Sequence, residues 1–107
     1  MASAADNAAL AARIRNLEFF SAPGVFELIS ARIADRMDFP ALYMTGYGTV
    51  ASYLGLPDAG LATYSDMIDR VSRICEVAKT PLMADGDCPL AEDDWNCPTH
   101  AAVPRKL

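Results

Sequence analysis

Asp85-Gly86-Asp87 follows a short apolar segment, Pro81-Leu82-Met83-Ala84, so a pair of carboxylates stands where a buried strand runs out into a loop. Alternate side chains of an extended chain share a face. Mg²⁺ takes one or two carboxylates from a protein and completes its octahedron with water and substrate oxygens. The pair is therefore a candidate site for a hard cation. Asp and Gly are also favoured turn residues, and a plain turn is the competing reading. A second candidate is Gly46-Tyr47-Gly48, after the apolar run Ala41-Leu42-Tyr43-Met44-Thr45. Its glycines let backbone approach a ligand closely, and N–H groups at the start of a helix there can hold an anion.

These residues need elements to position them. Residues 8–18 have high helix propensity and put Leu10, Ile14 and Leu17 on one face. Ser21-Ala22-Pro23-Gly24 stops that helix, and Val25-Phe26 reads as a first strand. Leu28 to Met37 resumes a helical period through Ile29, Ile33 and Met37, ended by Asp38-Phe39-Pro40. Ala41 to Thr45 reads as a strand buried on both faces, the kind found in parallel sheets. A short helix over Thr49 to Leu54 and a loop over Gly55 to Gly60 come next, with Thr63 and Asp66 spaced as a capping box. From about Tyr64 to Lys79 the stripe Met67, Ile68, Val71, Ile74, Cys75 and Ala78 predicts a helix. Its charged residues, Asp66, Asp69, Arg70, Arg73 and Glu76, read as a solvated face. Repeated βα units imply an α/β fold with a parallel sheet and right-handed crossovers. A doubly wound sheet and a (β/α)₈ barrel both remain open, and both bind ligands beyond the C-terminal ends of their strands. Thr45–Gly48 and Asp85–Asp87 fall on that rim.

The composition excludes several functions. The chain has 107 residues, 52% hydrophobic, with a net charge of -5, so at most one domain is expected and disorder is not. An acidic balance without a basic face argues against nucleic acid as a partner. No segment approaches the roughly 18 apolar residues of a membrane span, and residues 1–6 do not read as a signal peptide. A cytoplasmic location is expected. Cys75, Cys88 and Cys97 are an odd number at irregular spacing, which suits reduced thiols. Cys88, Cys97 and His100 lack the close cysteine pair and the four ligands of a zinc site.

Pro23-Gly24-Val25-Phe26, Ser30-Ala31-Arg32, Ala41 through Gly48, Leu54-Gly55-Leu56-Pro57-Asp58-Ala59-Gly60 and Ala84 through Asp87 together resemble, in order and spacing, the N-terminal part of the isocitrate lyase / phosphoenolpyruvate mutase family. The resemblance covers about residues 10–87. It implies the N-terminal fragment of a (β/α)₈ TIM barrel, about three βα units, that makes or breaks C–C or P–C bonds next to a 2-oxo acid. By the same resemblance, Asp85 and Asp87 hold Mg²⁺, or Mn²⁺ in its place. Thr45, Gly46 and Tyr47 fall on the turn that binds a pyruvate-like or oxaloacetate-like carboxylate. Tyr43 and Asp58 are the catalytic candidates, Asp58 on a loop that in the family moves over the site. Glu27 stands where the family more often has Asp, and Asp38 where it usually has Gly.

Residues 1–87 are thus read as a piece of that barrel and 88–107 as an irregular, non-homologous tail. Family members continue after the second aspartate with Thr-Gly-Tyr-Gly, whereas here Cys88 begins a stretch with three prolines and no apolar period. A complete barrel needs about 250 residues, and the Lys-x-Cys-Gly-His loop that serves the lyases is missing. The expectation is a Mg²⁺-dependent lyase or mutase of 2-hydroxy or 2-oxo acids, truncated, inactive alone and a weak metal binder. The alternative is a non-catalytic fragment that is unstable or associates with other chains through its exposed sheet edge. Sequencing downstream of the coding region tests the truncation: another reading frame should restore Thr-Gly-Tyr-Gly and Lys-x-Cys-Gly-His, and no such frame would count against it.

Overall fold

A computed structural model describes residues 1–57, 59 and 61–85; Asp58, Gly60, Asp87 and the expected tail lie outside the described residues. Seven elements follow in order: α1 (Ala4–Arg15), β1 (Gly24–Val25), α2 (Leu28–Ala34), β2 (Leu42–Met44), α3 (Gly46–Leu54), α4 (Tyr64–Val77) and β3 (Leu82–Ala84). The strands form one parallel sheet in the order β1-β2-β3. Proline precedes the strands because their entry needs an acceptor and no donor: the carbonyls of Pro23 and Pro81 take the N–H groups of Tyr43 and Leu42 at 3.0 and 2.8 Å.

One face of the sheet is covered. Val25, Leu42, Met44 and Leu82 pack with Ala31 and Ala34 of α2 and with Ile74 and Ala78 at the end of α4. Burying each large side chain of this set contributes about 1.5–3 kcal/mol. The opposite face is open, and Tyr43 is 37% exposed between two fully buried neighbours. The expectation that β2 is buried on both faces is therefore corrected. Sequential strand order with helices on one side matches consecutive units of a barrel; a doubly wound sheet carries helices on both faces.

Local chemistry explains the element ends. α1 stops at Arg15, short of the expected Glu18, because the chain closes on itself: Glu18 N–H reaches Arg13 C=O and Leu17 N–H reaches Ile14 C=O. This closure puts Leu17 in the left-handed region at φ 55°. Leu10 is buried, but Ile14 and Leu17 are not, so the expected apolar face is only partly used. α2 turns a different face inward from the one its large residues suggest. Ala31 and Ala34 are buried, whereas Ile29, Ile33 and Met37 are 72, 60 and 58% exposed. Small side chains let the helix approach the sheet closely. Asp38, standing where the family has Gly, has φ 57°, a conformation Asp tolerates better than most residues. Glu27 caps α2, accepting from the N–H groups of Ile29 and Ser30.

The predicted capping box of α4 is present, with Thr63 and Asp66 bonded reciprocally. The predicted stripe also packs: Ile74 is buried, and Met67, Val71 and Cys75 lie against the core. Arg70 stacks over the Tyr53 ring at 4.5 Å, tying α3 to α4. Between α2 and β3 the tie is Asp35, whose Oδ1 accepts the N–H groups of Lys79 and Thr80 at 2.9 and 2.8 Å. Burial pushes its carboxyl up, but hydrogen bonds from Thr80 and Lys79 and the Lys79 charge outweigh this and hold it below its usual value of 3.8. A carboxyl with a depressed folded-state pKa stabilises fully above its unfolded value and loses that contribution as pH falls through the folded one. Asp35→Ala should cost about 1–2 kcal/mol at neutral pH. Its urea midpoint should fall less steeply than the parent's between pH 5 and pH 3, the range of about one to two units around the ordinary Asp value.

Candidate functional site

The sheet brings three strand ends to one rim. Gly24 pairs with Tyr43 and Val25 with Met44, while Tyr43 pairs with Met83 and Met44 with Ala84. The ladder continues one step further, through Thr45 N–H to Val25 C=O at 3.0 Å and Asp85 N–H to Met44 C=O at 3.1 Å. Phe26, Thr45 and Asp85 are thus level with one another, two residues beyond Gly24, Tyr43 and Met83 and on the same open face.

Thr45 is the N-cap of α3, and its hydroxyl oxygen accepts the Gly48 N–H at 3.0 Å. The hydroxyl proton remains able to donate to a ligand. The helix is one turn longer at its start than its apolar pattern predicts, because Gly46, Tyr47 and Gly48 are helical. Gly46 N–H donates to Asp85 Oδ2 at 3.3 Å, and a Cβ at Gly46 would stand 2.7 Å from that oxygen. Only glycine lets the carboxylate lie so close to the positive end of the helix. Tyr47 N–H has no partner among the described residues. A ligand carboxylate can accept from this N–H and from the Thr45 hydroxyl together.

Of the residues singled out in the sequence, Gly46 and Asp85 meet directly, and Thr45 caps the helix that Gly46 begins. Tyr47 is in the first turn of α3 with its side chain 67% exposed, and Tyr43 lies one step below Thr45 on the open face. Asp58 and Asp87 fall outside the described residues, so nothing is built on their position. The described residues hold no group of three or more metal-ligating side chains. The donors present, a carboxylate and a hydroxyl, are hard oxygens of the kind Mg²⁺ takes one or two at a time from a protein. They fit such an ion and do not suit a soft metal. From the sequence alone Phe26 reads only as a strand residue. Its place on the rim was legible from alternation after Gly24, once the register with Thr45 is known.

The family profile of phosphoenolpyruvate phosphomutase matches residues 10–94, and the chain belongs to that family. It is 43% identical over 81 residues to 2,3-dimethylmalate lyase of Eubacterium barkeri, covering 72% of this chain and 28% of that protein. It is 34% identical over 73 residues to 2-methylisocitrate lyase of Escherichia coli K12, covering 68% of this chain and 25% of that enzyme. A crystal structure of 2,3-dimethylmalate lyase superposes with a TM-score of 0.69 at 40% identity, over 77% of this chain and 30% of the other. Oxaloacetate acetylhydrolase with bound 3,3-difluorooxalacetate gives 0.57 at 45% identity, over 60% and 22%. The chain spans between a fifth and a third of the length of these relatives.

The crowding at α3 gives a test of the geometry. A Cβ at Gly48 would press on the Thr45 hydroxyl oxygen and stand 3.0 Å from Phe26 Cβ. Gly→Ala inside a helix normally stabilises by about 1 kcal/mol. Here overpacking of about 1–3 kcal/mol opposes it. Gly48→Ala should therefore destabilise by about 1 kcal/mol in urea titration; a gain in stability would show the contact to be slack.

Proposed function

We propose that this chain carries the cation- and carboxylate-binding rim of a (β/α)₈ barrel lyase or mutase that depends on Mg²⁺ and acts on C–C or P–C bonds of 2-hydroxy or 2-oxo acids. The observation that carries the reading is Asp85 lying against the first turn of α3, where it accepts the Gly46 N–H, in the same turn that the Thr45 hydroxyl caps. Asp85 and Asp87 are the residues that would hold the ion. Bound there, Mg²⁺ supplies electrostatic stabilisation of negative charge developing on the substrate oxygens. Thr45 and the Gly46–Tyr47 backbone orient the substrate carboxylate, and Tyr43 borders it from the strand below. Asp58, which follows α3 in the sequence, is the second catalytic candidate by the family resemblance. The names of the relatives, acting on dimethylmalate, methylisocitrate and oxaloacetate, support small 2-substituted dicarboxylic or 2-oxo acids as the substrate class.

Catalysis in a barrel draws on residues from several strand ends at once, so the 107-residue chain by itself should bind without turning substrate over. The exposed residues Ile29 and Ile33 of α2, Met37 just beyond it and the open sheet face favour a second reading, a non-catalytic piece that associates with other chains. Calorimetric titration separates the two. On the first reading, Mg²⁺ or Mn²⁺ binds in about the millimolar range, that of the weakest protein cation sites, and promotes oxalate binding. Asp85→Asn and Asp87→Asn should each abolish the metal response, while Asp58→Asn leaves it intact. Equal binding by the parent and Asp85→Asn would sink the metal assignment.

A further inference from the structure

We propose that Phe26 is the apolar wall of this site and sets a preference for acids with a longer alkyl substituent; the inference rests on the carboxylate-binding reading above. Three observations converge on Phe26. By register it stands level with Thr45 and Asp85 on the open face of the sheet, as the β1 contribution to the rim. Its side chain lies against the first turn of α3, because a Cβ at Gly48 would be 3.0 and 3.3 Å from its Cβ and Cγ. It is 39% exposed, although it directly follows the fully buried Val25. A large aromatic residue is thus held at the mouth with its backbone fixed, the Phe26 N–H donating to Ser30 Oγ at 3.3 Å.

The neighbours divide the work chemically. The end of β2 offers donors, the Thr45 hydroxyl and the Tyr47 N–H, to a carboxylate. The end of β3 offers Asp85 and, through it, a cation to the adjacent oxygen. Both polar functions of a 2-oxo acid are then satisfied by β2 and β3. The carbon substituent is what remains to meet β1, where the Phe26 ring offers no hydrogen-bonding group. A second carboxylate pressed against this ring would lose hydration with nothing in exchange. An alkyl group gains by burial, about fourfold in affinity for each methylene covered.

The test compares oxalate, pyruvate and 2-oxobutyrate in the presence of Mg²⁺, with affinities read from amide chemical shifts of the labelled 107-residue protein. The parent should bind 2-oxobutyrate about fourfold more tightly than pyruvate. Phe26→Ala should bring that ratio close to one, and Phe26→Leu, which keeps an apolar side chain, should retain most of it. Magnetisation transfer between the Phe26 ring and the ligand methyl group, measured on the parent, gives a readout that does not depend on any variant folding. Oxalate binding with an unchanged ratio in Phe26→Ala, or with no transfer from the ring, would overturn this inference and leave the proposed function standing. No binding of oxalate by the parent would overturn the proposed function and, with it, the role of Phe26.

Discussion

The parallel register between β1, β2 and β3 is the constraint on which the rest of this molecule depends. Two hydrogen bonds at its upper end, Thr45 N–H to Val25 C=O and Asp85 N–H to Met44 C=O, make residues far apart in sequence level with one another. A slip of one residue would exchange the two faces of a strand. Met44 would then leave the core for the open face, and Thr45 and Asp85 would turn away from each other. The hydrophobic contacts of Val25, Leu42, Met44 and Leu82 with α2 and α4 fix the register, so the apolar core sets the geometry of the polar rim.

Glycine completes what the register begins. At positions 46 and 48 a side chain would collide with Asp85 or with Thr45 and Phe26. The absence of a side chain at both lets the helix start sink into the rim, where its N–H groups are within reach of a carboxylate. Asp85 is such a carboxylate. It satisfies one donor of the first turn, a turn that otherwise leaves several unpaired, and it places a negative charge where the helix dipole is positive. The same side chain thereby supports α3 and is the one proposed to hold a cation, so structure and proposed chemistry share one contact.

At the opposite end of the strands the residues serve stability. There Asp35 ties the end of α2 to the approach to β3, while the caps Glu27 and Thr63 stand at helix starts, towards the rim. The site proposed above lies at the other end, the rim at which barrels of this kind bind their ligands.

The sequence by itself determined the order of the elements, the family, and the strand ends at which the chemistry-bearing residues stand. Those are local properties: α4 and its Thr63–Asp66 cap were legible because spacing and capping act within one turn, and the apolar runs before Thr45 and Asp85 were legible because a strand core needs them. The tertiary structure alone decided which face of each element is used. In α2 the helix ends at Ala34, short of Met37, and the large residues Ile29 and Ile33 mark a face that the fold leaves exposed, because Ala31 and Ala34, with Leu28 partly buried beside them, form the face turned to the sheet. In β2 one face is open at Tyr43, where the apolar run suggested burial on both. Nor could the chain order show that Phe26 joins Thr45 and Asp85 on one rim. That depends on pairing between strands separated by whole helices, and such pairing is settled by packing rather than by the neighbours of any residue along the chain.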